Sequence, residues 1–532
     1  IISVRMISLL VLLLISSYGA PFKFLVFNPQ FGNSHVNYMS RLSDALIDEG
    51  HEVVMLSPRT DLLVGSPKTK ARVLEVPQAP KSADFQHRAN SGKGALSTVW
   101  QSADVFTQIR EFYPLFQAWV DQCEVTLADR ELIDELRDEH FDAGFTETWD
   151  SCGYGIFHML GITKYATTNS LAMFDGLFSV TQVPVNTAYI PSMMGGTAGD
   201  RMSFIDRVLN TLAYLRMDNF VDYNVGLYQA LFEKNLSNPP NMRDLMAKSS
   251  LVFMNSDPLA DFPKVTSPRV IDIGGISVHA GHNELDEYWS SVLSRRNQTV
   301  FLSFGTFVKS HLMPAAYKET IRETARRMPD VTFVWKYEKP EHNISAGIDN
   351  LVETVWAPQH DLLHDPRLTA FVTHGGQGSI TESAGAGIPL ICIGVTADQL
   401  RNARQVERNG VGIMLNKDDL GRLGPLEDAI KKVLNDQSYK TNAETLAHMI
   451  ADRPFSMKDI FVRNMEFMVK YGPHRRFDHY GAQLSFVQYY LIDVFGFLAL
   501  LALSCLFIAL YSLKLVAKRL SGYVTIKKVK SH

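Results

Sequence analysis

Short apolar runs alternate with amphipathic segments along most of the chain, which is the pattern of parallel strands joined by helices. Near the start, the run Phe22–Asn28 is followed by a polar loop and then by apolar positions at helical spacing from Val36 to Ile47. A second apolar run, Val53–Leu56, comes after this helix. We therefore predict a strand, a helix and a parallel strand, with His35 at the junction between the loop and the helix.

The same order returns in the second half of the chain. Thr299–Ser303 predicts a strand, Gly305 and Thr306 predict a turn into a helix that runs to Met328, and Thr332–Lys336 predicts the next strand. Other apolar runs predict strands at Phe141–Thr146, Ser250–Ser256 and Val270–Gly274. Two such series indicate an α/β protein with two Rossmann-like domains that face each other across a cleft.

The stretch from residue 351 to residue 403 combines these elements with candidate chemistry. Thr369–Thr373 predicts a buried strand, a helix opens near Ile380, and a glycine-rich turn lies between them, His374-Gly375-Gly376-Gln377-Gly378-Ser379. Such a turn gathers free backbone N–H groups and the positive end of a helix dipole, which together suit a phosphate. His374 can hydrogen-bond the same phosphate, and Glu382 can reach a neighbouring sugar hydroxyl.

Two neighbouring strand ends add polar and aromatic side chains to this turn. Trp356 and Gln359 follow the preceding strand, and Asp398 and Gln399 follow the next strand, Leu390–Val395. The carboxyl ends of parallel strands meet at one edge of a sheet, so we expect these groups to share a site. The glycine turn by itself is equally typical of an ordinary tight αβ turn.

From Trp356 to Gln399 the chain resembles the signature of the UDP-glycosyltransferases, the family that includes the UDP-glucuronosyltransferases. The resemblance implies the GT-B architecture and a UDP-sugar as co-substrate rather than a bound cofactor. For the nucleoside, it implies that Trp356 stacks on uracil, Gln359 bonds the nucleoside and Glu382 bonds the ribose. For the phosphates, it implies that His374 bonds the pyrophosphate and that Gly376, Ser379 and Thr306 lie near it. For the sugar, it implies contacts from Asp398 and Gln399. Many members carry Asn where Gly378 stands, so only its backbone amide is expected to contribute here.

The reaction also needs a base for the acceptor hydroxyl, and His35 is the candidate. A neutral imidazole is matched to taking a hydroxyl proton at neutral pH. By the resemblance, an acidic residue just after the strand Phe141–Thr146 orients this histidine, and the aligned residue is Glu147, with Asp150 as its substitute. The alternative reading of His35 is a polar residue that caps the helix. Displacement on an α-linked donor would invert the anomeric carbon and give a β-glycoside and UDP.

Hydrophobic segments at both ends indicate a membrane protein. Arg5, the apolar run Met6–Ile15 and the small residues before Ala20 predict a signal peptide at residues 1–20. Val494–Leu513 carries no charged residue and predicts a transmembrane helix at residues 491–513. The following Lys514, Lys518 and Arg519 place a tail of residues 514–532 in the cytosol. We therefore predict a single-pass type I protein with its other domains lumenal or extracellular.

The remaining boundaries follow from composition and pattern. We predict an acceptor-binding domain at residues 21–275, a linker at 276–298, a UDP-sugar-binding domain at 299–452 and return helices at 453–490. Lys528–His532 resembles a KxKxx signal for the endoplasmic reticulum, although it equally fits a basic tail beside a membrane. Asn-x-Ser/Thr sequons at Asn235, Asn297 and Asn343 agree with a lumenal position.

Charge, cysteine content and one missing motif argue against nucleic acid and metal ions as ligands. The chain has 532 residues and a formal net charge of −4, which argues against a nucleic-acid partner. The four scattered cysteines form no CxxC pair, so no zinc site is expected, and whether Cys123 pairs with Cys152 is not readable from the sequence. No Asp-x-Asp sequence occurs, so no divalent metal is expected on the diphosphate.

We consider three functions, of which the third fits these features least well. The first is a UDP-glycosyltransferase of the endoplasmic reticulum, a membrane enzyme of the detoxification type that transfers glucuronate or glucose to a small lipophilic acceptor and can be a homo-oligomer. The second is a non-catalytic single-pass protein that binds a nucleotide sugar or a lipophile, for which His35 and Glu147 would have no use. The third is a UDP-sugar epimerase, which should lack the signal peptide and the anchor.

The identities of donor and acceptor are not readable. Glucuronate would favour a cationic partner for its carboxylate, and Arg401 and Arg404 are candidates only because they lie near Asp398 in the chain. Residues 170–250 contain scattered methionines and aromatic residues, which by default form core. The family resemblance favours a pocket for lipophilic molecules there instead.

Overall fold

The computed structural model of the chain describes residues 21–61, 64–88, 99–101, 105–172, 174–181, 183–195, 198–278, 281–306, 308–478 and 480–529. The predicted signal peptide lies outside the described residues. By its internal contacts the chain divides into a first unit that ends at Arg475 and a second unit that begins at Arg476.

The first sheet of the first unit consists of seven parallel strands in the order β3-β2-β1-β4-β5-β6-β7. These are β1 (Lys23–Phe27), β2 (Glu52–Pro58), β3 (Arg72–Val76), β4 (Ala143–Glu147), β5 (Tyr165–Asn169), β6 (Leu251–Met254) and β7 (Val270–Asp272). Every residue of β4 and β5 is buried. Continuous burial is expected of parallel strands that helices cover on both faces.

Eight helices belong to this sheet among the described residues: α1 (Asn33–Asp48), α2 (Pro80–Arg88), α3 (Val105–Ala128), α4 (Arg130–Asp138), α5 (Cys152–Met159), α6 (Asp175–Thr181), α7 (Phe204–Asn235) and α8 (Met242–Ala247). A disulfide between Cys123 and Cys152 joins α3 to the start of α5. The sequence left this pairing open.

The second sheet has six parallel strands in the order β10-β9-β8-β11-β12-β13. They are β8 (Gln298–Ser303), β9 (Val331–Lys336), β10 (Leu351–Thr354), β11 (Leu368–Thr373), β12 (Leu390–Gly394) and β13 (Gly412–Asn416). Alternate residues of these strands enter two different cores: Leu302 and Val372 face one, and Phe301 and Phe371 face the other. This alternation follows from the pleat of a strand.

The helices of the second sheet are α9 (Glu287–Leu293), α10 (Ala315–Arg327), α11 (Gln359–His364), α12 (Gln377–Ala386), α13 (Gln399–Arg408), α14 (Pro425–Asn435) and α15 (Gln437–Ala451). Helix α16 (Met457–Tyr471) then returns to the first sheet. There the ring of Phe461 contacts Phe145 at 5.8 Å and Phe253 at 4.9 Å between ring centres.

Three features differ from the predicted elements. The helix predicted from Gly305 and Thr306 begins only at Ala315, after a turn and a short 3-10 helix at Ser310–Leu312. Strands β3 and β5 were not predicted, because Arg72–Val76 is partly charged and Tyr165–Asn169 is rich in threonine. The region after residue 400 was predicted to be helical but also contains β13.

The second unit contains α17 (Phe486–Tyr489) and the long helix α18 (Ile492–Val529). Among the described residues, Ile492–Gly522 is the one helical segment long and apolar enough to cross a membrane. The helix continues beyond the predicted span of residues 491–513 into the basic tail.

Candidate active site

The glycine-rich turn after β11 ends in an open helix terminus. Helix α12 begins after Gly376, and no side chain caps its first turn. The first N–H groups of a helix have no partner within the helix, and they carry the positive end of its dipole. The preceding Gly375 has a φ of +80°, and a Cβ there would lie 3.0 Å from the carbonyl oxygen of Gln399. This turn therefore needs glycine and leaves the first N–H groups of α12 without a side-chain partner.

His374 is enclosed between two glycines at the start of this helix. A Cβ on Gly305 would lie 2.7 Å from its Cε1 atom, and a Cβ on Gly376 would lie 2.5 Å from its Nε2 atom. Burial and the neighbouring positive charge of Lys336 lower the pKa of His374 to about 4. The imidazole is therefore neutral at physiological pH, and it can donate one N–H hydrogen bond.

Two of the three predicted ligands of the nucleoside, Gln359 and Glu382, contact each other beside the same helix. The Nε2 atom of Gln359 donates to Oε2 of Glu382 at 2.8 Å and lies 3.3 Å from Oγ of Ser379. Burial raises the pKa of Glu382. Trp356 follows β10, and its side chain is 69 % exposed, so a face of the indole is open to a planar ligand.

Lys336 joins this site, although the sequence analysis counted it only as the last residue of a strand. Its Nζ atom donates to the carbonyl of Gly305 at 2.9 Å and lies 5.3 Å from the centre of the Trp356 ring. The side chain is buried, and burial lowers its pKa. A lysine at the carboxyl end of a buried strand was the available signal. Thr306 lies next to Gly305 in the same turn.

Asp398 and Gln399 lie at the N-terminus of α13, where their side chains stabilise the turn after β12. Oε1 of Gln399 accepts from the backbone N–H groups of Val395 and Thr396, both at 3.0 Å. Oδ2 of Asp398 accepts from Nδ2 of Asn402 at 2.6 Å. Burial raises the pKa of Asp398 to about 6, although the hydrogen bond from Asn402 and the positive charge of Arg401 oppose the shift.

His35 lies in the first turn of α1 and contacts Glu147 at the end of β4. Its Nδ1 atom is 2.9 Å from both carboxylate oxygens of Glu147 and 2.9 Å from Oγ of Ser170. Glu147 also accepts from the backbone N–H of Ser170 at 3.0 Å. A proton on Nδ1 would bond the carboxylate and leave Nε2 as an acceptor. Gly32 is the N-cap of α1, so the reading of His35 as the capping residue is wrong.

Asp150 has a different environment from Glu147. Its Oδ1 atom accepts from the backbone N–H of Cys152 at 2.9 Å, at the start of α5. Burial raises its pKa to about 7. Of the two carboxylates, Glu147 is the one that the structure places within hydrogen-bond distance of His35.

Aromatic rings surround the exposed side of this pair. Phe31 lies 4.5 Å from the ring of His35 and 4.7 Å from Trp119. Trp149 lies 6.4 Å from His35 and stacks on Phe174 at 4.6 Å. An apolar cavity, lined by Phe116, Trp149, Phe174, Phe220 and other residues, lies beside them. His35 is thus flanked by aromatic side chains.

The two candidates for binding a sugar carboxylate face elsewhere. Arg401 is fully buried and pairs with Asp261, and Arg404 pairs with Glu407 of its own helix. Among the described residues, no three or more His, Cys, Asp or Glu side chains are grouped so that they could hold a metal ion.

Known proteins are similar to this chain along most of its length. A family model described as "UDP-glucoronosyl and UDP-glucosyl transferase" matches residues 23–528. Putative UDP-glucuronosyltransferase ugt-47 of Caenorhabditis elegans is 26 % identical over 95 % of this chain and 94 % of that protein. Human UDP-glucuronosyltransferase 1A8 is 29 % identical over 89 % of this chain and 88 % of that protein.

Two solved structures share the fold. The glycotransferase of kitacinnamycin has a TM-score of 0.57 at 16 % identity, and the match covers 85 % of this chain and 98 % of that one. LpCGTa in complex with UDP has a TM-score of 0.55 at 16 % identity, over 85 % of this chain and 100 % of that one. These likenesses confirm the predicted fold of two facing Rossmann-like domains, of the GT-B type.

Proposed function

The chain belongs to the UDP-glucuronosyl and UDP-glucosyl transferase family and transfers sugar from a UDP-sugar, and from this premise we propose that it makes β-glycosides of small lipophilic alcohols or phenols with inversion at the anomeric carbon. The family predicted from the sequence is thereby confirmed. The observation that carries the proposal is the contact of His35 with Glu147 on the side of the cleft opposite the donor site.

In the proposed step, Nε2 of His35 takes the proton of the acceptor hydroxyl. The acceptor oxygen forms a bond to the anomeric carbon while the bond from that carbon to the diphosphate breaks, and UDP leaves with the electron pair. The carboxylate of Glu147 stabilises the imidazolium that forms. Attack from the side opposite the leaving group inverts an α-linked donor.

The donor side supplies oriented groups for the leaving diphosphate. The open N-terminus of α12, the neutral imidazole of His374 and Thr306 are the proposed phosphate ligands. Lys336 lies beside them and adds positive charge. Trp356, Gln359 and Glu382 would hold the nucleoside, and Asp398 and Gln399 would hold the sugar hydroxyls, as the family resemblance implies.

The aromatic surroundings of His35 support a lipophilic acceptor. Phe31, Trp149 and Phe174 offer apolar surface, and Nε1 of Trp149 is buried without a hydrogen-bond partner among the described residues. Such an N–H group can fix the orientation of a hydroxyl or carbonyl on the acceptor.

We place the enzyme in the endoplasmic-reticulum membrane as a single-pass type I protein. Helix α18 contains the apolar segment, and Lys514, Lys518 and Arg519 follow its apolar half, which favours a cytosolic tail. The disulfide between Cys123 and Cys152 supports an oxidising, lumenal compartment for the first unit.

The test is to express the full chain and the variant His35→Ala in microsomes, with UDP-glucose or UDP-glucuronate and a panel of phenols. We expect turnover to fall by about 10²- to 10⁴-fold, because a general base is lost, while UDP binding stays unchanged. His158→Ala, an exposed histidine of the same domain, is the matched control and should behave as the unmodified chain.

The mass of the product shows which sugar was transferred, and its anomeric configuration shows whether the anomeric carbon was inverted. Normal turnover of His35→Ala would overturn the mechanism. An unmodified chain that binds UDP-sugars but forms no glycoside with any phenol would instead favour the non-catalytic binding protein.

A further inference from the structure

Helix α13, which begins with Gln399 directly after Asp398, places a fully buried arginine within its first turn. Arg401 has no exposed surface. Arginine is almost never fully buried unless it is paired, because an unpaired guanidinium loses its hydration at high cost. Its partners therefore indicate what the burial achieves.

The partners of Arg401 all belong to the half of the first unit that carries the first sheet. Nη1 lies 2.7 Å from Oδ1 of Asp261, and Nε donates to the carbonyl of Pro191 at 3.1 Å. The guanidinium also lies 5.1 Å from the centre of the Phe262 ring. Arg401 thus connects the donor-binding half to the half that contains His35.

These partners are themselves held in place. Asp261 accepts from Oγ of Ser256 at 2.8 Å and from Nζ of Lys264 at 3.0 Å. Burial alone would raise its pKa, yet the positive charges of Arg401 and Lys264 hold the pKa of Asp261 well below its usual range. The two residues after Pro191, Ser192 and Met193, donate to the buried carboxylate of Asp175. The surface that Arg401 contacts is therefore held by hydrogen bonds of its own.

The same helical turn holds the proposed sugar ligands. Asn402, the next residue, donates to Asp398 at 2.6 Å and to the carbonyl of Gly375 at 3.0 Å. A shift of Arg401 would move this turn and, with it, the carboxylate of Asp398. The other end of α13 also contacts the first half, where Arg408 pairs with Asp200 at 2.7 Å, but both of these side chains are partly exposed. Exposed pairs contribute little, so they hold the helix less firmly.

We propose that Arg401 is a positioning residue, which docks the first turn of α13 onto Asp261 and Pro191 and thereby fixes the Asp398–Gln399 pair relative to His35. The inference rests on the proposed function of this site. It assigns Arg401 a role in placing the donor sugar through the protein rather than through contact with a sugar carboxylate.

The test compares Arg401→Met with Arg408→Met, the same substitution at the far end of the same helix, in the full chain. The dissociation constants of UDP, UDP-glucose and UDP-glucuronate are measured for each variant. In Arg401→Met, we expect the constant of the UDP-sugar that the unmodified chain uses to rise about tenfold, as for the loss of one charged hydrogen bond, and kcat to fall. The constant of UDP, which has no sugar, should stay unchanged, and Arg408→Met should change neither.

Two further variants, Arg401→Lys and Asp261→Asn, test the same interaction in case Arg401→Met does not fold. Arg401→Lys keeps the charge and should partly restore sugar binding. Asp261→Asn should weaken binding of the UDP-sugar, and the double variant Arg401→Met with Asp261→Asn should be less than additive, because both changes break one interaction. If all these variants fold and the ratio of UDP-sugar affinity to UDP affinity is the same in each, the role of Arg401 is overturned while the proposed function stands. An unmodified chain that binds neither UDP-sugar would overturn it together with the proposed function.

Discussion

At the scale of single residues, burial acts in opposite directions on two neighbouring groups. It lowers the pKa of His374 to about 4 and raises the pKa of Asp398 to about 6. Both shifts favour the neutral form, since a low-dielectric environment disfavours charge. At pH 7 His374 is therefore a neutral donor, while most Asp398 side chains are still ionised and can accept two hydroxyl hydrogen bonds.

A pH dependence of donor binding follows from Asp398. As the pH falls through about 6, this carboxylate takes up a proton and loses acceptor capacity, so affinity for the UDP-sugar should fall between about pH 7 and pH 5. Affinity for UDP should not follow the same curve. Titration calorimetry with both ligands across this range is the measurement, and Asp398→Asn should remove the difference. Parallel curves for UDP and the UDP-sugar would contradict this assignment.

A second prediction at the scale of residues concerns the two carboxylates near the end of β4, Glu147 and Asp150. Glu147→Gln should lower kcat by about 10²- to 10⁴-fold, because a neutral amide does not stabilise the imidazolium of His35. Asp150→Asn is the matched control and should keep most of its turnover. Asp150 accepts from the backbone N–H of Cys152 rather than contacting His35, and burial raises its pKa to about 7, so about half of its side chains are already uncharged near neutral pH. Equal losses in both variants would mean that the contact seen at His35 is not the one that matters.

At the scale of elements, the open N-terminus of α12 depends on which glycine stands where. A Cβ on Gly376 would collide with the ring of His374, whereas a Cβ on Gly378 would meet no atom within 4 Å. The two positions lie two residues apart in one turn, yet the first is required by packing and the second is not. Many members of the family carry Asn at the position of Gly378, and the structure has open space there for a side chain.

These glycines allow a matched pair of substitutions. Gly376→Ala should weaken UDP binding by about tenfold or more, because the methyl group displaces the imidazole from the phosphate site. Gly378→Asn should be tolerated and should bind UDP at least as well, since asparagine adds hydrogen-bonding groups and is less costly than glycine within a helix. UDP affinity and melting temperature, measured together, separate a local effect from unfolding. Weaker binding in Gly378→Asn than in Gly376→Ala would contradict the geometry.

At the scale of the whole molecule, the two sheets divide the chemistry between them. The first sheet carries His35, Glu147 and the aromatic residues around them, and the second carries the anion site and the groups beside it. Two of the contacts between the halves lie at the N-terminal turns of α12 and α13. Gln377 donates to the carbonyl of Asn255 at 2.9 Å, and Arg401 pairs with Asp261. The elements that would hold the donor are thus among those that hold the halves together.

The sequence by itself determined the features that depend on short spacings. The succession of strand, glycine turn and helix around His374 is local, and so is the clustering of Trp356, Gln359 and Asp398 at successive strand ends. Parallel strands place all their carboxyl ends at one edge, so order along the chain was enough to predict a shared site. Apolar length alone indicated that residues 491–513 could span a membrane, and they overlap the apolar helical segment Ile492–Gly522.

Only the tertiary structure decided which distant side chains meet. The register of β1 with β4 pairs Phe27 with Thr146, which brings the helix after β1 beside Glu147 rather than Asp150. The same kind of long-range packing buries Arg401 against Asp261, places Lys336 beside Trp356 and joins Cys123 to Cys152. None of these contacts leaves a periodic trace along the chain, because each depends on how sheets and helices pack and not on the residues in between.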